Sequence, residues 1–150
     1  MAARPKAVLF ACSMNAVRSP MAAALLQQMF GKTMPVVSAG VHKGEIDPFV
    51  VAVMDEVGID LTRHKSTTFE ELQDLEGIDA DLIVTLSPDA HHKAMTLTHT
   101  LPAEVEYWPT PDPTAEEGNR EQRLNAYRAV RDQLLAKIRA RFASRGGGNE

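Results

Sequence analysis

Two short stretches of this chain carry residue types that do chemistry, at spacings that matter. The first reads Cys12-Ser13-Met14-Asn15-Ala16-Val17-Arg18-Ser19-Pro20. It sets a thiol at the end of the apolar run Ala7-Val8-Leu9-Phe10-Ala11, and an arginine six residues further on at the mouth of a helix. A loop of that length can curl so that successive N–H groups converge as a nest for an anion. A helix N-terminus adds unpaired N–H groups and partial positive charge. The planar fork of Arg18 suits two oxygens of a phosphate. The same field favours a thiolate at Cys12. Ser19 can donate a hydrogen bond to that thiolate while also capping the helix. On residue type alone, a lone cysteine at a strand end is more often a small buried hydrophobe than a nucleophile. A buried strand, a thiol, Arg-Ser-Pro and a helix in that order favour the reactive reading.

The second stretch is Pro109-Thr110-Pro111-Asp112-Pro113. Cleaving a phosphate ester needs a proton for the leaving oxygen. Asp112 stands between prolines that stiffen its approach. Asp before Pro is equally a cap or a turn, and Asp47-Pro48 reads as a plain helix cap. Spacing alone leaves both readings of Asp112 open.

The elements that must position these residues alternate along the chain. The run Ala7–Ala11 has the continuous apolar character of a strand buried on both faces. Ser19-Pro20 opens a helix that ends near Gly31. Strands are predicted at Pro35–Ser38, Asp81–Leu86 and Val105–Trp108. Helices are predicted after Asp47-Pro48 (closed by Gly58), after Thr67 or Thr68 with Glu70 or Glu71 three residues on, and after Ser87-Pro88. Asn119 with Gln122 caps a final helix, whose apolar stripe is Leu124, Tyr127, Val130, Leu134 and Ile138. A β-α-β-α-α-β-α-β-α order implies a parallel sheet with helices on both faces. Ligands of such sheets sit beyond the C-terminal ends of the strands, where both stretches fall.

Composition narrows the function. The chain has 150 residues, 44% hydrophobic and 24% charged, which suits one packed domain. We expect that domain over residues 1–143, with a flexible tail at 144–150 around Gly146-Gly147-Gly148. The single cysteine excludes an internal disulfide and a cysteine zinc site, and suits a reducing compartment. A net charge of −4 argues against a general nucleic-acid binder. No targeting segment or membrane-length apolar run is visible, so the expected location is the cytoplasm. His91-His92 reads as a solvated helix face and not a metal site. The cations of the last helix, Arg120, Arg123, Arg128, Arg131, Lys137, Arg139 and Arg141, read first as a solvated face and second as a docking surface for acidic partners. His42, Lys43, Arg63 and Lys65 fall in loops that can add positive field near the site.

Cys-x5-Arg-Ser-Pro directly after the first strand resembles the phosphate loop of the low-molecular-weight protein tyrosine phosphatases. Val37-Ser38-Ala39-Gly40, His64-Lys65-Ser66, Asp81-Leu82-Ile83-Val84 and Asp112-Pro113 resemble further family segments in the same order. The resemblance implies a flavodoxin-like three-layer α/β sandwich with a four-stranded parallel sheet ordered 2-1-3-4. It implies Cys12 as nucleophile, Arg18 as phosphate clamp, Ser19 as thiolate stabiliser and Asp112 as general acid. It implies that Ser13, Met14, Asn15, Ala16, Val17 and Arg18 surround the phosphate, with Asn15 holding the strained loop and His64 buttressing Asn15. It implies no metal and no cofactor. Met14 stands where the family usually has Gly, and left-handed backbone there would strain it. Val17 stands where a second Cys is common, so oxidised Cys12 has no internal partner. Thr114 and Ala115 replace tyrosines that wall the family's phosphotyrosine site.

The expected activity is metal-independent phosphomonoester hydrolysis of the protein tyrosine phosphatase type, through a phosphocysteine. The expected substrates are phosphorylated proteins or small phosphomonoesters, met by a monomer or weak homodimer without nucleic acid or membrane. Two alternatives stand beside it. One is an arsenate reductase fed by a small external thiol, since a relay through further cysteines is impossible in this chain. The other is a non-catalytic phosphate or phosphopeptide binder.

Overall fold

A computed structural model describes residues 5–75 and 77–143. The expected tail at 144–150 lies outside the described residues. Four parallel strands form one sheet in the order β2-β1-β3-β4. They are β1 (Val8–Cys12), β2 (Val36–Gly40), β3 (Leu82–Thr85) and β4 (Glu104–Tyr107). Five α-helices intervene: α1 (Arg18–Phe30), α2 (Pro48–Asp55), α3 (Phe69–Leu75), α4 (Pro88–Leu97) and α5 (Arg120–Ile138). A single 3-10 turn covers Pro113–Ala115, and a π-helical turn at Arg139–Ala143 follows α5. The expected α/β sandwich and strand order are those observed.

The central strand explains the layers. Every residue of β1 is buried. Val8, Phe10 and Cys12 face the α1, α2 and α5 side, while Leu9 and Ala11 face the α3 and α4 side. Strand side chains alternate between faces, so a strand covered on both sides must be apolar throughout. β4, like β2, is an edge strand, and its burial is only partial. Its ladder begins one residue before the predicted Val105, because Glu104 N–H reaches the Asp81 carbonyl at 3.0 Å.

Most caps are those read from the sequence. Asp47 accepts from Phe49 N–H, Ser87 from Ala90 N–H and Asn119 from Gln122 N–H. Thr68, of the two threonines considered, exchanges hydrogen bonds with Glu71. Ser19 departs from expectation. The first helix begins at Arg18, its N-cap is Val17, and no side chain caps it. The Ser19 hydroxyl is drawn into the site below instead. Among the described residues no helix is long and apolar enough to cross a membrane.

Candidate active site

β1 ends at Cys12, and the chain then folds back on itself before α1. The carbonyls of this loop turn outward and are taken up by other segments. Val41 N–H bonds the Cys12 carbonyl, His42 N–H that of Ser13, Gly44 N–H that of Met14 and Asp47 N–H that of Ala16. The N–H groups of residues 13–18 have no acceptor in the described protein. A loop with carbonyls bound outside and N–H groups left over is a ready anion cradle at a helix N-terminus.

The left-handed residue of the loop is Asn15, at φ 55°, and not Met14. Asn tolerates that region better than most residues, so Met14 carries no such strain; its side chain is exposed at the cleft. Asn15 is fully buried and bonded at every polar group of its side chain. Its amide donates to Ser19 Oγ at 2.9 Å and Ser38 Oγ at 2.8 Å, and its Oδ1 accepts from Thr67 N–H at 2.9 Å. Its carbonyl meets His64 Nε2 at 3.0 Å and Ser66 Oγ at 2.9 Å. His64 thus contacts the Asn15 carbonyl directly. Gly40 permits the close approach of β2. A Cβ there would lie 2.8 Å from Asn15 N and 2.5 Å from the His42 oxygen.

Cys12 is buried, with Sγ 3.0 Å from Ser19 Oγ and 3.4 Å from Ser19 N. Ser19 thus touches the thiol as anticipated, from inside the helix instead of from its cap. Arg18 is also buried, and its Nη1 donates to the Thr110 carbonyl at 2.9 Å. That bond ties the loop's arginine to the segment carrying Asp112. Cys12, Arg18 and Asp112 line one open cleft of about 450 Å³, with Met14, Val17 and Ile46 as apolar lining. Asp112 is exposed and accepts from Thr114 N–H at 3.0 Å and Thr114 Oγ1 at 2.7 Å.

Several contributors carried no local signal. Asp47, read as a plain cap, lines the cleft and accepts a 2.6 Å hydrogen bond from the Tyr127 hydroxyl of α5. Burial first, then Asp47, pushes the Tyr127 phenol well above its ordinary range. On the opposite side Ser13 Oγ donates to Asp89 at 2.8 Å, and Ser87 Oγ donates to the same carboxylate at 2.6 Å. Burial opposes the Asp89 charge, but the Ser87 and Ser13 hydroxyls outweigh it and hold the carboxyl below its ordinary range. Ser38, Ser66, Thr67 and Thr110 are the other partners that local pattern did not single out for these roles.

The remaining candidates lie elsewhere. His92 is exposed, but His91 is not a free face. It stacks on Tyr107 at 4.7 Å and its Nδ1 meets Thr85 Oγ1 at 3.1 Å. Among the described residues no group of three or more His, Cys, Asp or Glu is arranged to hold a metal.

Residues 7–144 match the low molecular weight phosphotyrosine protein phosphatase family. The chain belongs to this family. Among its relatives is an arsenate reductase of Shouchella clausii, 36% identical over 146 residues, covering 94% of this chain and 97% of that one. A structure of the YwlE arginine phosphatase from Geobacillus stearothermophilus is 27% identical, with a TM-score of 0.67 over 89% of this chain and 88% of that one. The Escherichia coli K30 tyrosine phosphatase Wzb, solved with sulphate, shares the fold at a TM-score of 0.74 and 21% identity, over 96% of this chain and all of that one. The match to the family model runs through β1–β4 and α1–α5.

Proposed function

We propose that this family member is a metal-independent phosphomonoesterase that works through a phosphocysteine. The observation that carries the reading is the buried Cys12 Sγ, hydrogen-bonded to Ser19 at the base of a cradle of unpaired N–H groups. In this reading the Cys12 thiolate forms a bond to phosphorus as the bond to the leaving oxygen breaks in line. Arg18 and the N–H groups of residues 13–18 hold the equatorial oxygens while charge spreads over them. Ser19 stabilises the thiolate before attack and when it is regenerated. Asp112 gives its proton to the leaving oxygen, then takes one from the water that cleaves the phosphocysteine and releases phosphate.

The arsenate reductase reading is favoured by the names of eight curated relatives, all arsenate reductases and 32–36% identical to this chain. Reducing arsenate needs two electrons. With one cysteine in the chain, these would have to come from an external thiol. The non-catalytic reading gains nothing from Met14, which the left-handed turn at Asn15 leaves unstrained. We assign one domain to residues 1–143. We also assign a cytoplasmic location, and a monomer or weak homodimer acting on phosphorylated proteins or small phosphomonoesters rather than nucleic acid. The lone thiol and the charge of −4 support that setting. The test sets turnover of p-nitrophenyl phosphate in the presence of a chelator against arsenate reduction fed by glutathione or mycothiol. The expected result is hydrolysis, with arsenate as a competitive inhibitor; thiol-driven arsenite production without ester cleavage would reverse the assignment.

A further inference from the structure

The arginines of α5 fall into two pairs with opposite surroundings. Arg128 and Arg131 are occupied: both reach Glu56 of α2, and they also reach Glu121 and Asp132 respectively. Arg120 and Arg123 lie over the ring of Phe49, with guanidinium carbons 5.3 Å and 4.7 Å from its centre. Among the described residues neither of them has a carboxylate partner. Both are exposed. Phe49 is itself fixed, packed edge-on against Tyr127 at 5.3 Å between ring centres.

This cluster borders the cleft. Phe49 directly follows Asp47 and Pro48, which line it. The 3-10 turn that begins just after Asp112 packs against α5, so the Phe49 ring and its two arginines lie on the side of the Asp112 segment. A guanidinium held over an aromatic ring by a cation–π contact keeps N–H donors available, and such donors suit a carboxylate. Holding the group in place beforehand also reduces the rotamer freedom lost on binding. The cleft itself carries Glu45 and Asp47, which repel a second anion. Such a group is therefore steered out of the cleft and across Pro48 toward α5.

We propose that Arg120 and Arg123, held over Phe49, form a second recognition site that binds an acidic side chain flanking the phosphorylated residue of a polypeptide substrate. The proposal rests on the hydrolase reading of the cleft. It turns part of a surface read first as a solvated face, and second as a docking surface for acidic partners, into a specificity element.

The experiment uses two phosphotyrosyl peptides that differ only in glutamate or glutamine on either side of the phosphorylated residue. The full chain should favour the acidic peptide about tenfold in kcat/KM, mainly through KM, the scale of one good charged contact. In Arg120→Gln/Arg123→Gln the ratio should fall toward one, and it should also fall as added salt screens the contact. Arg139→Gln, which removes an exposed cation beyond the far end of α5, should keep the ratio. Equal kcat/KM for the two peptides in the unaltered chain, or a preference that survives in the double variant, overturns the proposal. Failure of the hydrolase reading is distinguished by p-nitrophenyl phosphate: a chain inactive on it is no phosphatase. In that case calorimetric binding of the same two peptides to the Cys12→Ser chain decides the matter, and equal affinities overturn the proposal.

Discussion

The two segments that meet over Cys12 are built to different standards of rigidity. The loop at residues 12–18 is bonded from several elements at once: from β2 through Ser38, from the loop after it through Val41, His42 and Gly44, and from the segment before α3 through His64, Ser66 and Thr67. The acid segment is held lightly. Asp112 is exposed and its carboxylate is tied to Thr114, two residues away, while Thr110 supplies the link to Arg18. The difference follows from the chemistry proposed for each. Oxyanion stabilisation depends on donors that do not move when charge develops. A proton donor that must next serve as a base profits from freedom to face first a leaving group and then water.

Breaking the rigid side should cost most. Cys12→Ser should abolish turnover yet still bind inorganic phosphate by calorimetry, because the N–H groups and Arg18 remain; turnover above a trace removes Cys12 as nucleophile. Gly40→Ala removes no reacting group but forces a Cβ to within 2.8 Å of Asn15 N. We expect kcat/KM to fall by about a hundredfold, the scale of a small misplacement of reacting groups. An unchanged far-UV spectrum and steady-state kinetics together check that the damage is local.

The acid segment should respond in a graded way. Asp112→Asn should lower kcat by about a hundredfold for poor leaving groups and much less for those stable as anions. A series of aryl phosphates of varied leaving-group acidity reads this out, and a flat loss across it assigns the proton to another group. Asp47→Asn tests the bridge between the two sides. The amide can still cap α2, but it loses the charge that accepts from Tyr127 Oη. Urea denaturation should show a loss of about 1–2 kcal/mol with the leaving-group dependence intact; no loss would mean that the cap alone matters.

The smallest effect lies away from both segments. Arg128 and Arg131 hold the Glu56 carboxyl down from 4.5 to about 2, chiefly through hydrogen bonds. A carboxyl depressed in the folded state stabilises the fold above its unfolded value, and that part is lost as pH falls from 4.5 toward 2. Melting temperature should therefore fall more steeply over that range in the unaltered chain than in Glu56→Gln, and parallel curves would remove Glu56 from the linkage.

The same contrast explains what the sequence made legible. Period and caps sufficed for β1 through α5, because those signals are local and the core rewards them. Cys12 and Arg18 stand out for the same reason, since their spacing is set within one loop. Ser19-Pro20 and Ser87-Pro88 look alike in sequence, yet only Ser87 caps. The Ser19 hydroxyl instead finds Cys12 and Asn15, partners brought close by the fold of the loop. Asp47 meets Tyr127 across 80 residues, and Thr67 meets Asn15 across 52. No local pattern encodes such pairs. The left-handed turn falls at Asn15, one residue beyond Met14, the position where the family's usual Gly would put it.

A cradle fixed by bonds to the rest of the fold also has a cost in use. Since the outward carbonyl bonds tie the loop to the rest of the fold, an oxyanion entering it loses little free energy to ordering the protein. That advantage is not reserved for the transition state. Free inorganic phosphate, which is the reaction's own product, meets the same N–H groups and the same Arg18, and gains from them without reacting. The enzyme therefore works against a standing occupancy set by its surroundings. Its rate on any phosphorylated substrate should track the ambient phosphate concentration inversely, so that a phosphate-starved solution makes it a faster enzyme with no change in its structure.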